Sequence, residues 1–403
     1  MKDKYFADEK VNSGRQPELD LLKALCIFGM IICHVVLDLC DEPLPADLDS
    51  YITQLFGAAT FMICMGIGMR YSHNQSSAAY FQRGFALLTM GQFINILRNA
   101  LPNLIAYWIT GDNFFIANSL LILQSDILSF AGLAYMLMGL FKKLKLSDGS
   151  ILGISVLMNL ASLIHSHLAT SPDNYLVSQF VAYFFISDAE AYFPLFSYFI
   201  FAAFGYFIGG YYPYIKDKDA LANRVMLICL PISVLYFGLR FTVDFPYLPE
   251  AGGDMQYNLQ PTPDAIATCI FTLGFIALLY KFVEKCWHGN LPKIVTHLSE
   301  NINTYYFLSY MFVLPVQTIL VATTGGLIPK TWIALLYSIF VTIACYWLIE
   351  MNNKHWNIHI TNLKGRKQLI FVVATWVITV LVVIYAYPRI EEYANIWNDY
   401  LLP

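Results

Sequence analysis

Apolar runs of about twenty residues, separated by short polar stretches, recur along the chain from residue 19 to residue 387. A helix rises ~1.5 Å per residue, so such a run is about as long as a bilayer's hydrocarbon core is thick. The pattern predicts an all-α fold, a polytopic membrane bundle of about eleven transmembrane helices. They are expected over residues 19–40, 52–71, 80–100, 115–141, 149–167, 191–213, 223–241, 264–285, 301–323, 331–350 and 367–387. A further apolar stretch, Tyr175–Phe185, is too short to cross and is expected to be re-entrant or interfacial. The organisation expected is a cytoplasmic segment (1–18), one membrane domain (19–387) and an extracytoplasmic tail (388–403).

Composition agrees with this pattern. The chain is 58% hydrophobic and 13% charged, with a mean hydropathy of +0.55, whereas a soluble domain carries about a quarter of its residues charged. Lys and Arg set the orientation. With the N-terminus inside, nineteen of them fall in cytoplasmic segments and four (Arg98, Arg240, Lys330, Arg389) fall outside, which predicts N-in and C-out. The polar first eighteen residues carry no cleavable leader. A sequon, Asn74-Gln-Ser76, falls in a cytoplasmic loop, which favours a bacterial inner membrane over a glycosylated organelle. The eight cysteines read as small packing residues, and no basic aromatic patch suggests nucleic acid. His165 and His167 lack Cys or Glu at ligand spacing, so no metal site is expected.

The candidate chemistry starts in the first helix. Lys23 and His34 are eleven residues apart, about three turns plus 20°, so their side chains share a face, with Asp20 and Asp38 on the same stripe. An ionisable group within a membrane costs on the order of 2.5–3.5 kcal/mol or more and is a functional candidate by default. Asp38, one turn beyond His34, is placed either to orient the imidazole or to sit at the interface. Asp126, after Gln124 and Ser125, is expected well inside the fourth helix, paired with a cation such as Arg98, lining a wet cavity or kept protonated. Asn95 and Arg98, one turn apart, are expected near the outer end of the third helix.

The segment Arg15-Gln-Pro-Glu-Leu-Asp20-Leu-Leu-Lys23, then ten residues, then His34 resembles the opening of the acyltransferase-3 family. Lys23 stands where that family usually has Arg. Phe61-Met-Ile-Cys-Met-Gly66, the Gln124-Ser-Asp126 run, and Ala191-Tyr-Phe-Pro194 through Gly209 are similar to segments of bacterial relatives of the heparan-α-glucosaminide N-acetyltransferases. Asn301 through Ser309 resembles a late helix that commonly ends on a His, absent here. The heparan-type enzymes carry their catalytic His in the loop after helix one. Here Asp41–Ser50 has none, so His34 must serve.

The resemblance implies a membrane acyltransferase that takes an acyl group, acetyl foremost, from cytoplasmic acyl-CoA as co-substrate, with no resident cofactor. The acceptor would be a hydroxyl or amine of an extracytoplasmic glycan or other small polar molecule. His34 would be the general base, Asp38 its orienter, and Asn95 or Arg98 the group that polarises the thioester carbonyl. Arg15, Lys23, Arg70 and Arg83 either bind the donor phosphates or mark the positive-inside face. The alternative is a proton-coupled small-molecule transporter with His34, Asp38 and Asp126 as relay.

Overall fold

The computed structural model describes residues 2–41, 57–169, 172, 174–186, 192–250, 254–356 and 365–391, and their regular structure is helical. The expected loop after helix one, the first residues of the second predicted helix, Ala191 and most of the C-terminal tail lie outside the described residues. In chain order the helices are α1 (Pro17–Leu39), α2 (Ala58–Tyr71), α3 (Ser77–Asn95), α4 (Leu101–Thr110), α5 (Asn113–Asn118) and α6 (Ile127–Lys143). There follow α7 (Asp148–Leu168), α8 (Tyr175–Ala182), α9 (Leu195–Tyr211), α10 (Lys218–Thr242) and α11 (Asp254–Leu259). The chain continues through α12 (Thr262–Cys286), α13 (Leu291–Glu300), α14 (Ile302–Thr324), α15 (Thr331–Met351) and α16 (Gly365–Glu391). Eight of these (α1, α7, α9, α10, α12, α14, α15 and α16) are long and apolar enough to cross a membrane.

Position in the bundle follows from side-chain character. α1 lies inside, packed against α2, α12, α13, α14 and α15, and Leu22, Ile31, Val35, Val36 and Leu39 are fully buried. The peripheral helices instead keep apolar side chains exposed, such as Leu227 and Val234 of α10, Trp332 and Leu336 of α15, and Leu381 and Ile384 of α16. That inversion suits a lipid solvent, in which an outward leucine costs nothing. Helix pairs close on small residues. A Cβ on Gly205 of α9 would lie 2.0 Å from the Ile63 carbonyl oxygen of α2, and one on Gly84 of α3 would lie 2.6 Å from that of Gly132 in α6. Only glycine permits such backbone contact.

Apart from the buried Arg98–Asp126 pair, most ion pairs among the described residues gather at the two ends of the bundle. At one end Lys218 meets Glu18 at 2.8 Å, Arg70 meets Asp148 at 3.0 Å, and Lys354 meets Glu350 at 3.2 Å. Arg15 joins Asp20 and Glu300 there, and Lys281 joins Asp219. At the other end Arg240 and Asp264, both buried, pair at 3.2 Å, and the Tyr236 hydroxyl donates to Asp264 at 2.6 Å. Asp264 is therefore part of a buried anchor at the start of α12.

Two predicted helices differ from expectation. The third continues through a five-residue π turn, Ile96–Ala100, into α4. Pro102 has no N–H for the carbonyl four residues back, and its ring collides with that carbonyl in a regular helix; the wider turn just before it relieves the conflict. Arg98 and Asn95 consequently stand at mid-course of a long helical run, not at its end.

The predicted helix 115–141 is broken. α5 runs into a 3-10 turn, Ser119–Leu123, the backbone opens at Gln124, and α6 starts afresh after Asp126. Three successive polar residues, Gln124-Ser-Asp126, cannot lie within an apolar helix and instead stop one and cap the next. Asp126 is thus an N-cap, accepting from Leu128 N and Ser129 N at 3.0 Å each. The break leaves five consecutive carbonyls outside regular α-helical bonding, and each receives a side-chain donor, Leu121 O also accepting from Gln124 N at 3.0 Å. Tyr175 reaches Leu120 O (3.3 Å), Asn99 reaches Leu121 O (3.1 Å), and Gln92 reaches Ile122 O (2.7 Å). Tyr183 reaches Leu123 O (3.1 Å) and Asn95 reaches Gln124 O (2.8 Å). Irregular backbone at membrane depth is tolerated only when satisfied this way. The apolar stretch 175–185 folds as the short helix α8 and supplies two of the five donors.

Candidate active site

His34 leaves α1 about one and a half turns before its end and meets α14. The Tyr310 hydroxyl faces the ring edge that carries both nitrogens, 2.9 Å from Nε2 and 3.1 Å from Nδ1. The two rings lie 4.4 Å apart between centroids. Asp38 Oδ2 stands 3.7 Å from Nδ1, an electrostatic contact too long for a hydrogen bond. The Gln317 amide holds α1 in register by donating to the Asp38 carbonyl at 2.6 Å.

Behind Tyr310 lies a buried polar cluster. The Arg98 guanidinium, on the π turn, sits over the Tyr310 ring, 4.3 Å from its centroid. Its Nε donates to Asn95 Oδ1 at 3.0 Å, and its Nη2 lies 3.4 Å from Asp126 Oδ2. Tyr306, one turn before Tyr310 on α14, donates its hydroxyl to that same carboxylate oxygen at 2.7 Å and stacks edge-on against Tyr310 at 5.0 Å. Arg98 is 2% exposed and Asp126 3%, so the pair is desolvated, and the two ions are held by complementary charge and by bonds from three elements. A continuous line of contacts therefore runs Asp38, His34, Tyr310, Arg98, Asp126.

The structure brings together His34, Asp38, Asn95, Arg98 and Asp126. It places the basic candidates elsewhere. Lys23 lies 3.8 Å from Asp20, which also accepts from Ser299 at 2.6 Å and from Arg15. Arg70 donates to the Tyr206 hydroxyl at 2.8 Å and lies over that ring, as does Lys142 at 5.2 Å. Arg83 lies 5.0 Å over the Tyr135 ring. These residues form two groups at the charged end, Arg15 with Lys23 and Arg70 with Arg83 and Lys142, where one mouth was expected. Of the histidine pair on α7, His165 stacks on Phe185 at 4.5 Å while His167 bonds the Tyr247 carbonyl at 3.0 Å.

Sequence reasoning missed Tyr306 and Tyr310. The signal was present: Tyr306, Ser309 and Tyr310 recur at three and four residues, a polar stripe on an apolar helix. The family resemblance of this segment points to position 309 and not to the tyrosines on either side of it. Gln92 and Lys142 were missed as well.

The catalytic profile of heparan-alpha-glucosaminide N-acetyltransferases matches residues 15–235, more than half the chain. The match opens on Arg15 and includes His34, Asp38, Asn95, Arg98 and Asp126; it ends before α14. It supports the resemblance of the Gln124–Asp126 and Ala191–Gly209 segments to the heparan-type enzymes, and not the acyltransferase-3 resemblance of the first helix. No curated protein and no solved structure matches the chain.

Proposed function

The chain belongs to the heparan-alpha-glucosaminide N-acetyltransferase catalytic family, and from that premise we propose that it moves an acetyl group from cytoplasmic acyl-CoA to a hydroxyl or amine of an extracytoplasmic glycan. The observation that carries this reading is the position of His34. It is part-buried, meets the Tyr310 hydroxyl at 2.9 Å, and through that ring is joined to the buried Arg98 guanidinium. Acyl-CoA is too large and charged to cross a bilayer, so donor and acceptor must meet within the bundle.

In the proposed step the acceptor oxygen or nitrogen attacks the thioester carbon as His34 takes up the proton. The carbon–sulfur bond breaks, and the CoA thiolate recovers the proton from the imidazolium. Asp38, 3.7 Å away, favours that transient cation. Of the two groups expected to polarise the carbonyl, Arg98 suits the task and Asn95 does not. The Asn95 amide is engaged by the Ile122 and Gln124 carbonyls and its oxygen by Arg98, so it positions the guanidinium. Asp126 fixes Arg98 from the opposite side; with a helix cap, a tyrosine and an arginine on its two oxygens, it holds charge in place and does not ferry protons.

Labelled acetyl-CoA offered to membranes with and without the protein tests the reading. Transfer of label to an acceptor, or thioester hydrolysis, is expected for the wild type. His34→Ala should abolish it while leaving the protein inserted and monodisperse. Wild-type turnover in that variant would end the proposal, and substrate flux without bond cleavage would favour a transporter.

A further inference from the structure

The base reading meets a geometric difficulty at Nε2. A general base needs a free lone pair toward the acceptor, yet the Tyr310 hydroxyl sits 2.9 Å from Nε2 and 3.1 Å from Nδ1. The ring edge that should receive the acceptor's proton already faces a phenol. Tyr306 offers no similar obstruction, because its hydroxyl is turned to Asp126.

Resting on the acyl-transfer reading, we propose that Tyr310 is itself catalytic: its hydroxyl bridges acceptor and base, so that the acceptor's proton passes to the Tyr310 oxygen while the phenolic proton passes to His34. In that step the acceptor heteroatom bonds to the acyl carbon, the bond to sulfur breaks, and the imidazolium returns its proton to the departing thiolate. Tyr310 ends with one proton, as it began. Arg98 suits the arrangement. Negative charge that grows on the phenol in transit makes the ring richer in electrons, and a guanidinium 4.3 Å from the ring centroid attracts such a ring more strongly. Tyr306 and Asp126 hold that guanidinium in place. The bridge also explains why a tyrosine stands here. Packing against His34 and under Arg98 would be served by phenylalanine, which has the same ring and no proton.

Tyr310→Phe is the first test. The ring contacts remain, so the variant should purify and melt like the wild type, while kcat falls by about 100-fold or more, the usual contribution of positioned proton transfer. KM for acetyl-CoA should stay within about threefold, since ground-state donor binding does not use the hydroxyl. Introduction of 3,5-difluorotyrosine at position 310 keeps fold and hydroxyl but makes the phenol more acidic; it should restore most of the turnover and alter the solvent deuterium isotope effect on kcat. Turnover of Tyr310→Phe within about threefold of wild type, or an isotope effect unmoved by fluorination, overturns the bridge. The two levels fail separately. An inactive His34→Ala with a fully active Tyr310→Phe removes the bridge and spares the base, whereas an active His34→Ala removes the reading beneath both.

Discussion

Asp38 contributes charge without a hydrogen bond, and that distinction can be measured. Asp38→Asn removes the carboxylate that favours the imidazolium and leaves Tyr310 in place, so it should keep partial activity. The loss should fall on kcat more than on KM for acetyl-CoA, because the carboxylate favours a cation formed only as the proton moves. Wild-type kcat in Asp38→Asn would remove Asp38 from the site. A second histidine, outside the crossing helices, tests the same electrostatics through stability. On α13, burial holds His297 below its ordinary 6.5, although Glu350 at 3.3 Å and, more weakly, Glu300 pull it upward; Tyr305 bonds its Nδ1. The unfolded chain therefore binds this proton more readily than the folded one. The contribution is complete above the unfolded value and declines as pH falls below it toward the folded value. Between about pH 7.5 and 5.5 the melting temperature of the wild type should fall more steeply than that of His297→Gln. Equal slopes would show the site to be indifferent to charge.

The break between α5 and α6 decides how the elements assemble around the site. Its carbonyls bond Gln92, Asn95, Asn99, Tyr175 and Tyr183, so each of these side chains carries backbone that water cannot reach. Leaving a buried carbonyl unsatisfied costs about 1–3 kcal/mol. Gln92→Leu, which touches none of the catalytic groups, should lower the melting temperature of the purified protein and spare KM. Asn95→Leu should do both harms, since it orphans the Gln124 carbonyl and releases Arg98. An unaltered melt for Gln92→Leu would mean that the Asn95 amide, 3.2 Å from the same carbonyl, satisfies Ile122 alone.

How far the elements were legible depends on period. Eight of the eleven predicted runs fall on described helices close to their expected bounds, and a ninth, 52–71, falls on α2 from Ala58 onward, because a stretch of apolar residues in lipid has no other satisfied conformation. The two exceptions are places where long-range bonds outweigh the local pattern. Nothing near residue 122 announces that a glutamine thirty positions earlier will bond its carbonyl. Pro102 did announce a disturbance, and so did Gln124-Ser-Asp126, but each was absorbed into an apolar average. At the site the pattern was similar: a one-turn spacing revealed His34 and Asp38, whereas Tyr310, 276 residues from His34, is joined to it through space alone.

At the scale of the molecule, the sorting of ion pairs to two ends gives the eleven-crossing, N-in proposal a direct check. Single cysteines at Asp148 and Lys218 should react only from the cytoplasmic side and those at Asp112 and Asp244 only from outside, with the eight native thiols replaced. A reversed label at any one position breaks the scheme. The two basic groups at the charged end make distinct predictions. Arg83, held over a ring without a carboxylate partner among the described contacts, is free to meet a donor phosphate. Its neutralisation should raise KM for acyl-CoA by roughly one to two orders of magnitude, the worth of a charge-assisted bond, with kcat little changed. Lys23 already neighbours Asp20, so its loss should weaken donor binding less than loss of Arg83. A donor affinity unaffected by Arg83→Gln would assign that group to topology alone. The five-carbonyl turn has a further consequence, for biogenesis. Its donors come from α3 and the π turn, made before it, and from Tyr175 and Tyr183, the latter sixty residues after the carbonyl it serves. While the nascent chain emerges, α5 and α6 must therefore wait at the translocon with a half-bonded turn until α8 is synthesised. A ribosome stalled between residues 143 and 175 should leave this hairpin open to protease or to return to the aqueous channel, and one stalled beyond α9 should not.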